Sequence, residues 1–278
     1  MHLMKRSVTG LAIAIVLILN MGAIAQTTQP ASRPAADDNP PAEGFDLEGS
    51  DARAIAIADA VMEKMGGRKA WDDTRYIAWK FFGFRMHYWD KHTGDIRVEF
   101  EREGVRTVVL ANLNTKKGTA WIDGKEITDK EELSGMMDRA KSWWINDAYW
   151  LVMPYKLKDS GVTLKYAGEK DMENGRAADV LVLTFDSVGN TPENKYEVFV
   201  AKDSGLVEQW AYFRTAADEE AGMTTPWQNW ERHGNILLSA DRGMRQGRPS
   251  RHTDVGVFKT LPESVFTDPE PVDFPISE

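Results

Sequence analysis

The chain has 278 residues, no cysteine, and 34 basic against 43 acidic side chains for a net charge of −9. Without cysteine there is no disulfide framework, no thiolate nucleophile or metal ligand, and no lipid-modified N-terminal cysteine, although a chain this long buries a sizeable core without staples. The acidic excess repels phosphate backbones and anionic headgroups, which argues against nucleic acid as a partner and against electrostatic membrane binding while leaving hydrophobic contact open.

Lys5 and Arg6 precede an apolar run from Val8 to Leu19, and Ala23-Ile24-Ala25 forms a small-x-small cleavage pattern before Gln26. Residues 1–25 therefore read as a cleaved signal peptide, and the product as exported, periplasmic and soluble. A retained anchor is the alternative, since Val8 to Ile24 approaches the ~17–25 residues that span a bilayer. Residues 26–50 are rich in Pro, Ala, Thr, Ser and acid with almost nothing to bury, the composition of a disordered tether.

The folded domain is expected over residues 51–278. Asp51 is an N-cap candidate for a helix to about Met65, with Ile55, Ala58, Val61, Met62 and Met65 on one stripe and Gly66-Gly67 as its stop. Strand patterns follow: Arg75 to Trp89 as one long strand bent at Gly83, then a turn at Lys91-His92-Thr93-Gly94, then Asp95 to Glu101. In the last of these, Ile96, Val98 and Phe100 alternate with Arg97, Glu99 and Glu101, which predicts one buried and one wet face. Arg106 to Leu113 and Thr119 to Ile122 continue the meander, with Asp123-Gly124 marking a tight turn.

The periodicity then changes. Asp129 to Leu151 fits a helix, with Leu133, Met136, Met137, Ala140, Trp144 and Ala148 at helical spacing and Pro154 beyond its end. Strands resume at Val162 to Tyr166, Asp179 to Asp186, Tyr196 to Ala201 and Leu206 to Arg214, with later candidates at Trp227 to His233, Ile236 to Ala240 and Thr253 to Phe258. Several are apolar on both faces, as in Val180-Leu181-Val182-Leu183, and need cover on each side: a helix, a second sheet or an enclosed cavity. After Phe213 the pattern weakens, and the Arg242 to Arg251 segment reads as a surface loop or a partner contact.

The most concentrated signal is Lys141 to Lys158, which packs Trp143, Trp144 and Trp150 with Tyr149 and Tyr155 into one short stretch. Each aromatic buries roughly 150–250 Å², so this segment covers either a core or a greasy cavity. The candidate ligand-binding set is Trp79, Phe81, Trp121, Met136, Met137, Trp144, Trp150, Trp210 and Tyr212, because aromatic and methionine side chains adapt to irregular apolar shapes. Plain core packing is the competing reading of the same residues.

Catalytic signals are absent. HExxH, GxSxG, SxxK and P-loop patterns do not occur, and Gly118 to Lys125 has the wrong spacing for a phosphate loop, so neither an enzyme nor a cofactor is expected. His87, Asp90, His92 and Asp95 cluster around the first turn and have acceptable metal chemistry, but a hairpin scatters such side chains over both faces and no metal site is expected there.

Three local sequences carry a resemblance: Ala60-Val61-Met62-Glu63-Lys64-Met65-Gly66-Gly67 running into Ala70-Trp71; Gly118-Thr119-Ala120-Trp121; and Asn146 through Leu157. Over about Asp51 to Phe213 the chain resembles an uncharacterised family of exported bacterial proteins similar to the outer-membrane lipoprotein carriers LolA and LolB. The resemblance implies an α+β fold, an incomplete antiparallel half-barrel of about 10–11 strands covered by lid helices, here Asp51 to Met65 and Asp129 to Leu151. It also implies a carrier or chaperone whose partner is a lipid or the acyl chain of an acylated protein, working among envelope membrane components. An envelope-acting, metal-dependent enzyme with its site at His87 and His92 and a non-catalytic envelope interaction module are the alternatives.

Overall fold

A computed structural model describes residues 38–274. The signal-peptide reading and the tether up to residue 37 lie outside these residues. From Asp38 to Ser50, where the composition predicts a tether, the chain runs as turns laid on the domain: Ala42 N–H donates to Lys158 O at 2.9 Å, Asp46 N–H to Val162 O at 3.0 Å, and Phe45 is buried. One aromatic among polar neighbours is enough to dock a short segment, and an averaged composition does not register it.

Asp51 opens helix α1 (Ala52–Lys64), but its carboxylate turns away from the helix to accept from Tyr166 N–H at 2.9 Å, which ties the helix start to a neighbouring strand. Ala54, Ala58, Val61 and Met62 form the buried face. Gly66 is required at φ 121°, where a Cβ would meet Asn235 O at 2.4 Å. Helix α1 stops at the glycine pair as expected, and a second short helix, α2 (Gly67–Asp73), follows at once.

The first sheet is built from β1 (Tyr76–Phe81), β2 (Arg85–Asp90), β3 (Asp95–Arg102), β4 (Val105–Asn112), β5 (Gly118–Ile122) and β6 (Lys125–Glu126). The long strand expected from Arg75 to Trp89 is a hairpin, with Tyr76 opposite Asp90 and Phe81 opposite Arg85. Phe82 at φ 44° and Gly83 at φ 73° make the tight reversal in a three-residue loop, with Phe84 N–H donating to Phe81 O at 2.9 Å. A phenylalanine there hides the turn from the sequence, because bulky residues rarely adopt that conformation.

Helix α3 (Lys130–Val152) carries Asp129 as a true cap, accepting from the N–H groups of Glu131 and Glu132 at 3.1 and 2.9 Å, and it passes into a 3-10 turn at Met153–Lys156. A second sheet follows from β7 (Val162–Asp171), β8 (Ala177–Phe185), β9 (Lys195–Ala201), β10 (Val207–Phe213) and β11 (Met223–Pro226). A third, smaller sheet is β12 (Gln228–His233), β13 (Ile236–Arg245) and β14 (Arg248–Arg251). The chain then returns to the first sheet as β15 (Thr253–Phe258), pairing antiparallel with β1, before the short helix α4 (Ser264–Thr267).

Among the described residues the fold is thus antiparallel sheets of seven, five and three strands with a few helices and no closed barrel. The strand number exceeds the expected 10–11 because β6, β11 and β14 are too short to show a period and one expected strand is two. One core joins α1, α3 and the inner faces of all three sheets, from Ala54 and Val61 through Val98 and Leu151 to Leu181, Trp210 and Leu238.

Arg97 departs from its expected wet face. It is fully buried beneath the C-terminal segment, donating to Asp268 O and Glu270 O at 2.6 Å each, to Val265 O at 3.3 Å and to the Glu99 carboxylate at 2.7 Å. Tyr76, Tyr88, Phe258 and Val265 pack beside it in a separate cluster. The alternation of β3 is that of a strand with one wet face, but a distant segment of the chain covers that face. Arg97→Met is expected to leave these carbonyls unpaired, lower stability by about 2–4 kcal/mol and expose residues 261–274 to hydrogen exchange, which native-state exchange with urea unfolding would measure. Unchanged protection in that segment would refute the clamp.

Candidate functional site: an aromatic cavity under helix α3

Helix α3 sends successive turns into two different environments. Trp144, Ile145, Ala148, Tyr149 and Val152 face a cavity of about 340 Å³ toward the second sheet, while Asp147 points the other way into the first. The opposite wall comes from β7, β8, β9 and β10 through Val162, Phe185, Tyr196 and Trp210, and Trp89 closes one side from β2. Polar side chains gather at Lys156, Asp159, Ser160, Asn190 and Thr191, which also line the cavity.

The walls are made of aromatic pairs. Tyr196 stacks on Trp210 at 5.0 Å with planes 6° apart, Trp150 meets Trp210 edge-on at 4.8 Å, and Trp89 meets Trp144 edge-on at 4.9 Å. Neither Trp144 Nε1 nor Trp210 Nε1 has a hydrogen-bond partner, and both rings sit in T-shaped pairs in which an indole edge meets a π-face. Burial pushes the Tyr149 phenol well up and that of Tyr196 up to about 12, so both remain protonated at neutral pH. Such a surface offers ring faces and neutral hydroxyls but no charge. Lys156 and Asp159 pair with each other.

Two polar clusters fix α3 in place. On the first-sheet side, Arg85 Nε and Nη2 donate to the two Asp147 oxygens at 2.7 and 2.9 Å, His87 Nε2 lies 2.7 Å from Oδ2, and Trp79 stacks on the His87 ring at 4.6 Å. At the C-terminal end, where helix carbonyls lose their partners, Trp150 O accepts from Arg242 and lies 3.2 Å from His252 Nε2. Arg242 stacks on Trp227 at 3.6 Å and is buried, although its segment reads as a surface loop or partner contact in the sequence; a carbonyl of the last helical turn and an indole face draw it inward.

Of the nine candidate ligand-binding residues, Trp144, Trp150 and Trp210 line the cavity. Trp79 lies sealed against His87, Phe81 packs on His252 at 5.4 Å, Met136 and Met137 are core residues of α3, Trp121 lies on β5 opposite Val108, and Tyr212 touches Tyr196 at 5.6 Å from outside the lining. Tyr149, Phe185, Tyr196 and Trp89 complete the walls without having been singled out, although Tyr149 stands within the aromatic stretch that raised the idea of a cavity. Of the two helices mapped as a lid, α3 alone borders the cavity; α1 packs on β7 instead.

The hairpin residues with metal chemistry disperse. His87 is sealed against Asp147, Asp90 receives Arg75 at 2.8 Å, His92 Nε2 meets Asp72 O at 3.1 Å, and Asp95 bonds Thr93 and Asn112. No group of three or more such ligands converges among the described residues, and no helix among them is long and apolar enough to cross a membrane.

No family model and no curated protein matches the chain. Solved structures align with it at low identity. A DUF1329 family protein from Desulfovibrio piger is 14% identical with a TM-score of 0.42, over 77% of this chain and 96% of that one. The MucA/MucB complex of Pseudomonas aeruginosa is 17% identical with a TM-score of 0.23, over 58% of this chain and 51% of that one. MucB in complex with MucA(peri) is 13% identical with a TM-score of 0.22, over 66% of this chain and 61% of that one.

Proposed function

We propose that the protein is an exported, periplasmic carrier that shelters an apolar ligand, a lipid or the acyl chain of an acylated protein, in the cavity beneath α3. The observation that carries this reading is the cavity itself: about 340 Å³ between a helix and a sheet, walled by Trp144, Tyr149, Trp150, Tyr196 and Trp210 and uncharged along its ring-lined walls. Burial at ~25 cal/mol per Å² drives binding without an ionic partner, and the polar side chains among the lining set leave room for a headgroup. Selectivity then follows cavity length rather than charge. No covalent step is required, and α3, pinned by hydrogen bonds at both Asp147 and Trp150, is the element whose shift would open the site.

Native mass spectrometry of the mature protein purified without detergent tests the reading, followed by extraction and identification of any adduct. A stoichiometric lipid adduct supports it. Val188→Trp, which fills the cavity from its loop, is expected to lower retention of an added long-chain fatty acid at least tenfold while leaving the unfolding midpoint within a few degrees. A clean apo mass with no uptake of fatty acids or lipopeptides overturns it.

A further inference from the structure

Exposed large apolar side chains are few, and three of them share one end of the molecule: Phe84 at 41% exposure, Val105 at 41% and Met244 at 67%. The registers place them there. Phe81 faces Arg85 across the β1–β2 turn, so Phe84 sits at that tip; β3 runs back alongside β2, with Met86 opposite Glu99, and closes on β4 at Arg102 opposite Val105. Phe84 and Phe100 touch at 5.3 Å, which joins the two tips. Strand β15 begins at the same end, with Thr253 opposite Lys80, and His252 N–H donates to Ala240 O at 2.9 Å, which fixes β13 beside it. Residues of β13 beyond Arg242 run on in the direction of the β1–β2 tip, and the β13–β14 hairpin, solvent-exposed along most of its length, carries Met244.

The hairpin has a charge opposite to that of the chain. Arg245, Arg248 and Arg251 are exposed, and from Gly243 to Thr253 there is no acidic residue; Asp241 and Asp254 flank it, while Glu101 and Glu103 offset Arg102 and Arg106 at the β3–β4 tip. None of the three hairpin arginines has a carboxylate partner among the described residues, whereas Asp241 is engaged by Asn229 and Gly243 N–H at 2.7 Å each. Three cations around an exposed methionine, on the hairpin that leads into β15 at the end of the sheet where Phe84 and Val105 are exposed, form a small amphipathic end on an otherwise acidic protein.

We propose that this end docks on an anionic lipid surface, with Met244, Phe84 and Val105 entering the interface and Arg245, Arg248 and Arg251 meeting the headgroups. The net charge of −9 keeps the rest of the surface away from the bilayer and so orients the contact. The inference stands apart from the cavity reading, because docking requires no occupied cavity.

Flotation of the purified full chain with vesicles of phosphatidylglycerol and phosphatidylcholine, against phosphatidylcholine alone, at low and physiological salt, tests it. The expected result is flotation with the anionic vesicles only, weakened by salt, and lowered roughly a hundredfold in partition coefficient by R245Q/R248Q/R251Q, the yield of three surface cations. Met244→Ser is expected to weaken it severalfold. Both variants should keep the wild-type unfolding midpoint and fatty-acid retention. Absence of flotation, equal flotation of the triple variant, or capture by acidic protein without vesicle binding overturns the proposal.

Discussion

Asp147→Ala is expected to cost the fold about 3–5 kcal/mol, the penalty for stranding buried charge whose partner has been removed. Asp147 is completely inaccessible, and burial alone would raise its pKa; the hydrogen bonds from His87 and Arg85, with a further one from Asn146, hold it below the usual carboxylate range instead. The carboxylate is the hub. Remove it and Arg85, whose side chain is only 16% exposed, keeps a full charge facing Phe81 and Trp143 rings, while the His87 ring loses its one partner beneath Trp79. At about 2–4 °C per kcal/mol for a domain of this size, the melting temperature should fall by roughly 6–20 °C. Asp147→Asn keeps one acceptor and should lose less than Asp147→Ala. A triple replacement with Arg85→Met, His87→Leu and Asp147→Leu should recover much of the loss, because an apolar cluster of similar volume needs no desolvation of charge. Urea unfolding of the three proteins decides the matter, and a loss under ~1 kcal/mol for Asp147→Ala would show that water relieves the cluster.

The same cluster shows where sequence reasoning stops. The start of α3 at Asp129, α1 from Asp51, the β2–β3 turn and the central strands were legible because each depends on residues near one another in the chain. Asp147 looks in sequence like one polar residue within an aromatic run, and His87 like one of several polar residues near a turn. Their pairing is a contact across sixty positions, set by how α3 lies over the first sheet. Arg97 and Arg242 read as exposed for a related reason: the residues that cover them lie far away in sequence, at Val265 to Glu270 and at Trp150. The aromatic stretch pointed to the cavity, and Trp144, Trp150 and Trp210 line it, but Met136, Met137 and Trp79 share their chemistry while facing the packed core. Which side of α3 a residue takes depends on its angle around the helix, and a list of aromatic residues carries no angle.

Acidification should weaken the folded state well before its carboxylates titrate, and His252 supplies a separable part of that loss. Burial, with the Arg242 charge nearby, pushes its imidazole from 6.5 down to about 3. The geometry agrees: Phe82 N–H donates to Nδ1 at 3.3 Å, so Nδ1 carries no proton, and Nε2–H is left to donate to Trp150 O at 3.2 Å. Protonation would set an N–H against an N–H. The folded protein therefore holds His252 neutral while the unfolded chain takes up a proton below pH 6.5, so the contribution is complete above 6.5 and declines as pH falls toward 3. Between pH 6.5 and 4.5 that amounts to roughly 2–3 kcal/mol at about 1.4 kcal/mol per unit. Asp147 does not confound the window, because its lowered pKa makes its own contribution fail only below 3.8. His87 and His233 are also shifted down and add to the total slope, so the informative quantity is the difference between the wild type and His252→Gln, whose amide can serve both partners without titrating. Urea unfolding at half-unit steps of pH should show the variant losing about 2 kcal/mol less than the wild type across this range. Parallel curves would mean that His252 is charged in the folded protein, and the hydrogen bond from Phe82 would have to be abandoned.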